Sequence, residues 1–201
     1  MSNEKIKAII FDWGGVLSKE TSLRSFAKMY APKFKANSDE FEKLIVELWL
    51  KARVDEINSG VFWEELANFL KIDKKIIRKD LMNYWGLNND VFNLVKKLKK
   101  NYKLAILSNH LEDWLEEIIL TKKLGKLFDV ITASYKFKKA KPDISIFNET
   151  IKQLKVSPQE IIYVDDLEKN IVPAKTLGMK PILFKNTNQL IDELNKLGVK
   201  Y

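Results

Sequence analysis

Five short apolar runs punctuate the chain: Ala8-Ile9-Ile10-Phe11, Leu104-Ala105-Ile106-Leu107, Val130-Ile131-Thr132, Ile161-Ile162-Tyr163-Val164 and Pro181-Ile182-Leu183-Phe184. Runs this short, rich in β-branched residues and without polar alternation, read as strands buried on both faces, as in a parallel sheet. Elsewhere the period changes. Val91, Leu94, Val95 and Leu98 recur at i, i+3, i+4 and i+7, as do Leu111, Trp114, Leu115 and Ile118. Each set therefore occupies one face of a helix. Segments 143–155, 167–177 and 187–198 also read as helices. This alternation of strand and helix predicts an α/β fold with a doubly wound parallel sheet.

The interval between the first two runs breaks the rhythm. It holds about ninety residues, whereas a crossover needs only ~10–12. Phe41, Leu44, Ile45 and Leu48 form an apolar stripe, and Asn37 with Glu40 forms a capping-box pattern ahead of it. Phe62, Leu66, Phe69 and Leu70 make a second stripe after Ser59-Gly60, and residues 73–84 predict a third helix starting at Asp73. The expected division is an α/β core over 1–16 and 88–201, with an all-helical insert over 17–87. There is no internal repeat and no low-complexity linker.

Composition narrows the chemistry. A chain of 201 residues, 46% hydrophobic, suits one globular core with a modest insertion. With no cysteine, disulfides, thiol nucleophiles and thiolate metal sites are excluded, and a reducing cytoplasm is the expected compartment. The apolar stretch Ile6 to Phe11 is too short for a signal peptide, and nothing approaches a membrane span. The net charge of +8 is carried almost wholly by scattered lysines, with Arg only at 24, 53 and 78. That pattern reads as solvated helix faces, and scarce arginine argues against nucleic-acid partners. Monomer and homodimer both remain open.

Ligands of open α/β sheets bind beyond the carboxyl ends of the strands. There stand Asp12-Trp13-Gly14-Gly15-Val16, then Ser108-Asn109, then Lys141-Pro142 ahead of a helix, and Asp165-Asp166. Taken singly these are a helix cap, a turn pair, a surface lysine and a second cap. Taken together, each after its own element, they suit phosphoryl chemistry. An aspartate can attack phosphorus. Clustered carboxylates repel unless a proton or a cation lies among them, and Mg²⁺ takes oxygen ligands and phosphate. Ser108, backbone N–H groups and Lys141 can hold the phosphoryl oxygens as charge builds.

These pieces resemble the haloacid dehalogenase-like (HAD) superfamily over essentially the whole chain. "AIIFDWGGVL", "LAILSN", "KAKPDISIF" and "IIYVDDLEKNIVPAKTLGM" match its four motifs in order. The resemblance implies a Rossmann-like core carrying a helical cap, and a phosphatase acting on a small phosphorylated metabolite such as a sugar phosphate. Asp12 would be the nucleophile. Asp12, the Gly14 carbonyl and Asp166 would bind Mg²⁺, with Asp165 as ligand or close support. Lys141 would serve catalysis, Ser108, Asn109, Trp13 and Gly15 the substrate, and Asn170 the frame of the site.

The chain also departs from the family. Most of its phosphatases carry a general acid two residues after the nucleophile, where this chain has Gly14. Lys136 and Lys138 add charge before Lys141, and Lys139 competes with Lys141 for its role. His110 reads as a helix-start residue, and Trp49, Trp63 and Trp85 as core residues, one of which can roof the pocket. The rival readings are a dehalogenase, which lacks the motif-four acid pair, and a phosphonoacetaldehyde hydrolase. The second needs a Schiff-base lysine from the insert, where Lys28, Lys33, Lys35, Lys43 and Lys51 are available. A phosphomutase and a non-catalytic scaffold are further alternatives.

Overall fold

The strands β1 (Ala8–Phe11), β2 (Lys103–Ser108), β3 (Val130–Ala133), β4 (Ile161–Asp165) and β5 (Lys180–Leu183) form one sheet. Its order is β3-β2-β1-β4-β5, and every pair is parallel. The structure is a computed structural model that describes residues 5–20 and 22–201. Residues 1–4, counted above with the core, and Thr21, counted with the insert, lie outside the described residues. The fifth strand begins one residue earlier than its apolar run suggests, an offset usual at element ends.

Phe11 pairs with Ile106 on one side and Val164 on the other. The carboxyl ends of β1, β2 and β4 therefore stand nearly level, with Asp12, Ser108 and Asp165 at one edge. The chain steps outward from β1 to β3, then returns to place β4 against the other side of β1. Strand order reverses at that junction, and ligands of such sheets bind there.

Side chains alternate across the pleat. Ile9, Phe11, Ile162 and Val164 join one apolar cluster, and Ala8, Ile10, Ile161 and Tyr163 join the opposite one. The first cluster continues into the helical insert through Phe41, Ile45, Phe62 and Leu66. Among the described residues four α-helices of the insert follow β1: α1 (Leu23–Tyr30), α2 (Ser38–Ala52), α3 (Ser59–Leu70) and α4 (Lys74–Trp85). Asn37, Asn58 and Asp73 cap the last three, accepting from Glu40 N (3.1 Å), Val61 N (3.0 Å) and Lys75 N (2.7 Å). Ser59-Gly60 is thus the first turn of α3 and not a break before it. The helix α1 was not anticipated, although Leu23, Phe26, Ala27 and Tyr30 bury a stripe at helical spacing.

The chain enters and leaves the insert along two antiparallel segments. Ser18 bridges Leu87, Asn88 N donates to Leu17 O (2.9 Å), and Lys19 N donates to Trp85 O (3.0 Å). The remaining helices are α5 (Asn89–Leu98), α6 (Glu112–Thr121), α7 (Ser134–Phe137), α8 (Ile144–Leu154), α9 (Glu168–Thr176) and α10 (Thr187–Lys196). Polar bonds also tie the insert to α6: Trp63 Nε1 donates to Asp113 Oδ2 (2.9 Å) and the Arg78 guanidinium to Glu117 Oε2 (2.6 Å). No described helix is long and apolar enough to cross a membrane.

Candidate active site

Asp12 leaves β1 extended (φ −67°, ψ 156°), and its Oδ1 accepts from Trp13 N at 2.6 Å. The next residues coil tightly over Trp13–Leu17. Gly15 sits at φ 69°, where a side chain would be strained, and its N–H turns to Ser18 Oγ (3.3 Å). This turn leaves Gly14 on the wall of the cavity above Asp12. It also sends the Trp13 indole into the core, edge-on to Phe92 at 6.2 Å between centroids. Of the expected substrate groups, then, Trp13 keeps its indole in the core and its backbone N–H on Asp12, and Gly15 provides the turn.

Lys141 is 2% exposed, and its Nζ stands 2.7 Å from both Asp12 Oδ1 and Asp165 Oδ2. Lys139 is exposed, so the geometry selects Lys141. Lys136 and Lys138 are exposed and pair with Glu116 (2.8 Å) and Asp55 (3.3 Å). Asn109 holds the Lys141 backbone from both sides: Oδ1 accepts from Lys141 N (2.8 Å) and Nδ2 donates to Lys141 O (3.0 Å). Asn109 lines the cavity, as expected of a residue at the substrate, and its amide also positions the lysine. Ser108 is buried, and its Oγ has no protein partner.

Asp165 is fully buried and saturated. It accepts from Lys141 Nζ, from Asn170 Nδ2 (2.9 and 3.1 Å), from Leu167 N (2.9 Å) and from the Tyr163 hydroxyl. Tyr163 was not anticipated as a site residue, because in the sequence it is one more member of a strand. Burial raises the Asp165 carboxyl, but the Lys141 charge and these donors outweigh it and hold it below its ordinary range. Burial pulls the Lys141 ammonium down, yet Asp12 and Asp165 leave it above its ordinary range.

Asp12 behaves in the opposite way. Burial, with repulsion from Asp165 and Asp166, pushes it up to about 8 despite Lys141. Asp166 rises to about 6 through burial and Asp165. Oxygens of these three carboxylates lie within 4.8 Å of one another, against one buried ammonium. The donors are all oxygen, and the cluster is short of positive charge. Such a set suits a hard divalent cation such as Mg²⁺. Asp12, Asp166 and the Gly14 carbonyl can hold it, whereas the oxygens of Asp165 are already occupied.

The cavity, about 190 Å³, is bounded below by Asp12, Lys141 and Asp166 and above by Trp49, Arg53 and Trp85 of the insert. Trp63 stays in the core, bonded to Asp113. His110 is fully buried among the rings of Trp49, Trp85 and Trp114, and burial pushes it down to about 4. Arg53 was not singled out from the sequence. Its one signal there is rarity, as one of three arginines among 35 basic residues.

Known proteins are similar to this chain in sequence and in fold. The D-ribitol-5-phosphate phosphatase of Bacteroides thetaiotaomicron is 25% identical over 189 residues, 87% of this chain and 90% of that protein. The bifunctional epoxide hydrolase 2 of Sus scrofa is 31% identical over 106 residues, 49% of this chain, but the match spans only 19% of that protein's length. The fold superposes with a TM-score of 0.77 on a HAD family enzyme of Bacteroides thetaiotaomicron crystallised with magnesium and inorganic phosphate. That pair is 22% identical, covering 90% of this chain and 94% of the other. Residues 9–184 match the family described as haloacid dehalogenase-like hydrolase, and the chain belongs to it.

Proposed function

We propose that the protein is a Mg²⁺-dependent phosphatase that hydrolyses a small phosphate monoester, a phosphorylated metabolite of the cytoplasm, through an aspartyl-phosphate on Asp12. The observation that carries this reading is the cavity floor. There the Asp12 carboxylate meets Lys141 at 2.7 Å and lies within 4.8 Å of Asp166. The relative named D-ribitol-5-phosphate phosphatase and the neighbour holding magnesium and phosphate support it.

An Asp12 carboxylate oxygen attacks phosphorus, and the bond from phosphorus to the leaving oxygen breaks. That oxygen keeps the electron pair and takes a proton from water. A second water then attacks the acyl phosphate, releasing inorganic phosphate and restoring Asp12. Bound Mg²⁺ would offset the repulsion between carboxylate and phosphoryl group. Lys141 holds Asp12 in place and offers its charge to the phosphoryl oxygens. Ser108 Oγ, buried without a partner, is a ready donor to them. The insert, residues 17–87, acts as a helical cap that keeps bulk water from the cavity.

The Asp165-Asp166 pair weighs against a dehalogenase. The phosphonoacetaldehyde hydrolase reading loses its lysine. Among the described residues the insert lines the cavity with Trp49, Arg53 and Trp85, and with no lysine. Lys28 and Lys51 pair with Glu42 and Glu47 instead.

The test is turnover of p-nitrophenyl phosphate with Mg²⁺ or with EDTA, for the wild type and Asp12→Asn. The aryl leaving group needs little protonation, so Gly14 does not mask activity. Magnesium-dependent turnover that Asp12→Asn abolishes supports the reading. Failure on every phosphate ester, with borohydride trapping of phosphonoacetaldehyde, would replace it.

A further inference from the structure

We infer that Arg53 reads a carboxylate at the end of the substrate remote from the phosphoryl group, so that the preferred substrates are short phosphorylated carboxylic acids. The inference rests on the phosphatase reading above and concerns the opposite wall of the same cavity.

Arg53 follows the last turn of α2 and lines the cavity facing Asp12 and Lys141. Its Nε is buried and has no hydrogen-bond partner. Among the described residues no carboxylate pairs with it. The neighbouring acids are engaged elsewhere, Asp55 with Lys138 (3.3 Å) and Glu47 with Lys51 (2.6 Å). Burial alone displaces the guanidinium below its ordinary range, with no acidic neighbour to restore it. A half-buried cation without a counterion is a ready partner for a bound anion.

Trp85 lines the same wall, and its indole Nε1 is also buried without a partner. The insert thus faces the ligand with a guanidinium donor and the rings of Trp49 and Trp85. It offers no acceptor. A polyol tail brings hydroxyl donors that the insert side of the cavity does not answer. A carboxylate accepts only, and matches the planar guanidinium fork. Lys169, also on the lining, is exposed and already solvated. The phosphoryl group has its own cation in Lys141 on the floor. The cavity volume of about 190 Å³ falls below the ~300–1,000 Å³ that holds drug-sized ligands, which suits a short substrate.

The experiment compares near-isosteric pairs: phosphoglycolate against 2-hydroxyethyl phosphate, and 3-phosphoglycerate against glycerol 3-phosphate. Wild type is expected to favour the carboxylate member of each pair in kcat/KM by about 100-fold, because a site built around a charged group rejects the analogue lacking it. Arg53→Gln and Arg53→Lys are expected to bring that ratio toward one and to a few-fold, respectively. A wild-type ratio near one overturns the inference. So does an Arg53→Gln variant that lowers both members equally, which would place the guanidinium on the phosphoryl group. Quenching of tryptophan fluorescence by the same four compounds reads binding without turnover. Carboxylate-selective quenching lost in Arg53→Gln sustains the inference even if no ester is hydrolysed, and unselective quenching rejects it.

Discussion

The Lys141 ammonium stands 2.7 Å from the Asp12 carboxylate, with both side chains closed to solvent. Asp165 lies equally close on the lysine's other side. Removing the ammonium leaves two buried carboxylates facing one another. Lys141→Met is therefore expected to cost about 3–5 kcal/mol in urea unfolding, and kcat about 10²–10³-fold. Lys141→Arg should not restore the rate, since the planar guanidinium cannot set one point charge 2.7 Å from both carboxylates as the ammonium does. Adding Asp12→Asn to Lys141→Met should recover part of the stability. A double variant no more stable than Lys141→Met would show that the carboxylates do not repel as argued.

Asp165 and Asp166 are neighbours in sequence with separate tasks. Asp165 is ringed by donors, so Asp165→Asn turns an amide N–H₂ toward N–H and O–H groups. Unfolding free energy is expected to fall by about 3 kcal/mol. Asp166 lines the cavity and carries no comparable set of bonds. Asp166→Asn should leave the unfolding midpoint near that of the wild type and abolish the rise in Tm on adding Mg²⁺. If both variants lose stability alike, the division of labour is wrong.

Gly14 occupies the position of the missing acid. Its backbone (φ −66°, ψ 129°) lies where any L-residue is comfortable. Gly14→Asp is therefore expected to fold. It should raise kcat on alkyl phosphates, whose leaving groups need a proton, by ~10-fold or more, and change p-nitrophenyl phosphate little. The measurement is the slope of log kcat against leaving-group pKa, which should flatten. An unchanged slope would mean that the proton already has a donor in the wild type.

The parallel sheet was legible because each strand is an unbroken apolar run, and strand ends fix where the next residue must point. Asp12, Ser108 and Asp165 are readable as neighbours on that ground alone. What packing decides was not legible. Trp13 and Gly14 are adjacent in sequence, yet the turn at Gly15 sends one into the core and the other to the cavity. The bonds between the Asn109 amide and the Lys141 backbone were not legible either, because the two residues lie 32 apart in sequence. Arg53 reaches the cavity only because the end of α2 stands opposite Asp12 and Lys141, and the stripe of Phe41, Ile45 and Leu48 says which face of α2 is buried but not what stands opposite its end.

His110 links the fold to pH. Burial among three indoles holds its pKa at about 4 in the folded chain, against an ordinary 6.5. Between those values the unfolded chain binds a proton that the folded chain refuses, so stability rises with pH through this window. The contribution is fully present above about pH 6.5 and is lost progressively toward about pH 4, a difference of about 3 kcal/mol. Carboxylates titrate in the same range, so the informative quantity is the difference between wild type and His110→Phe, whose ring fits among the same indoles. Urea unfolding is expected to show the variant losing about 2 kcal/mol less than wild type between roughly pH 7.5 and pH 5. Parallel profiles would mean that a proton reaches His110 in the folded state, and that the box formed by Trp49, Trp85 and Trp114 is open to water.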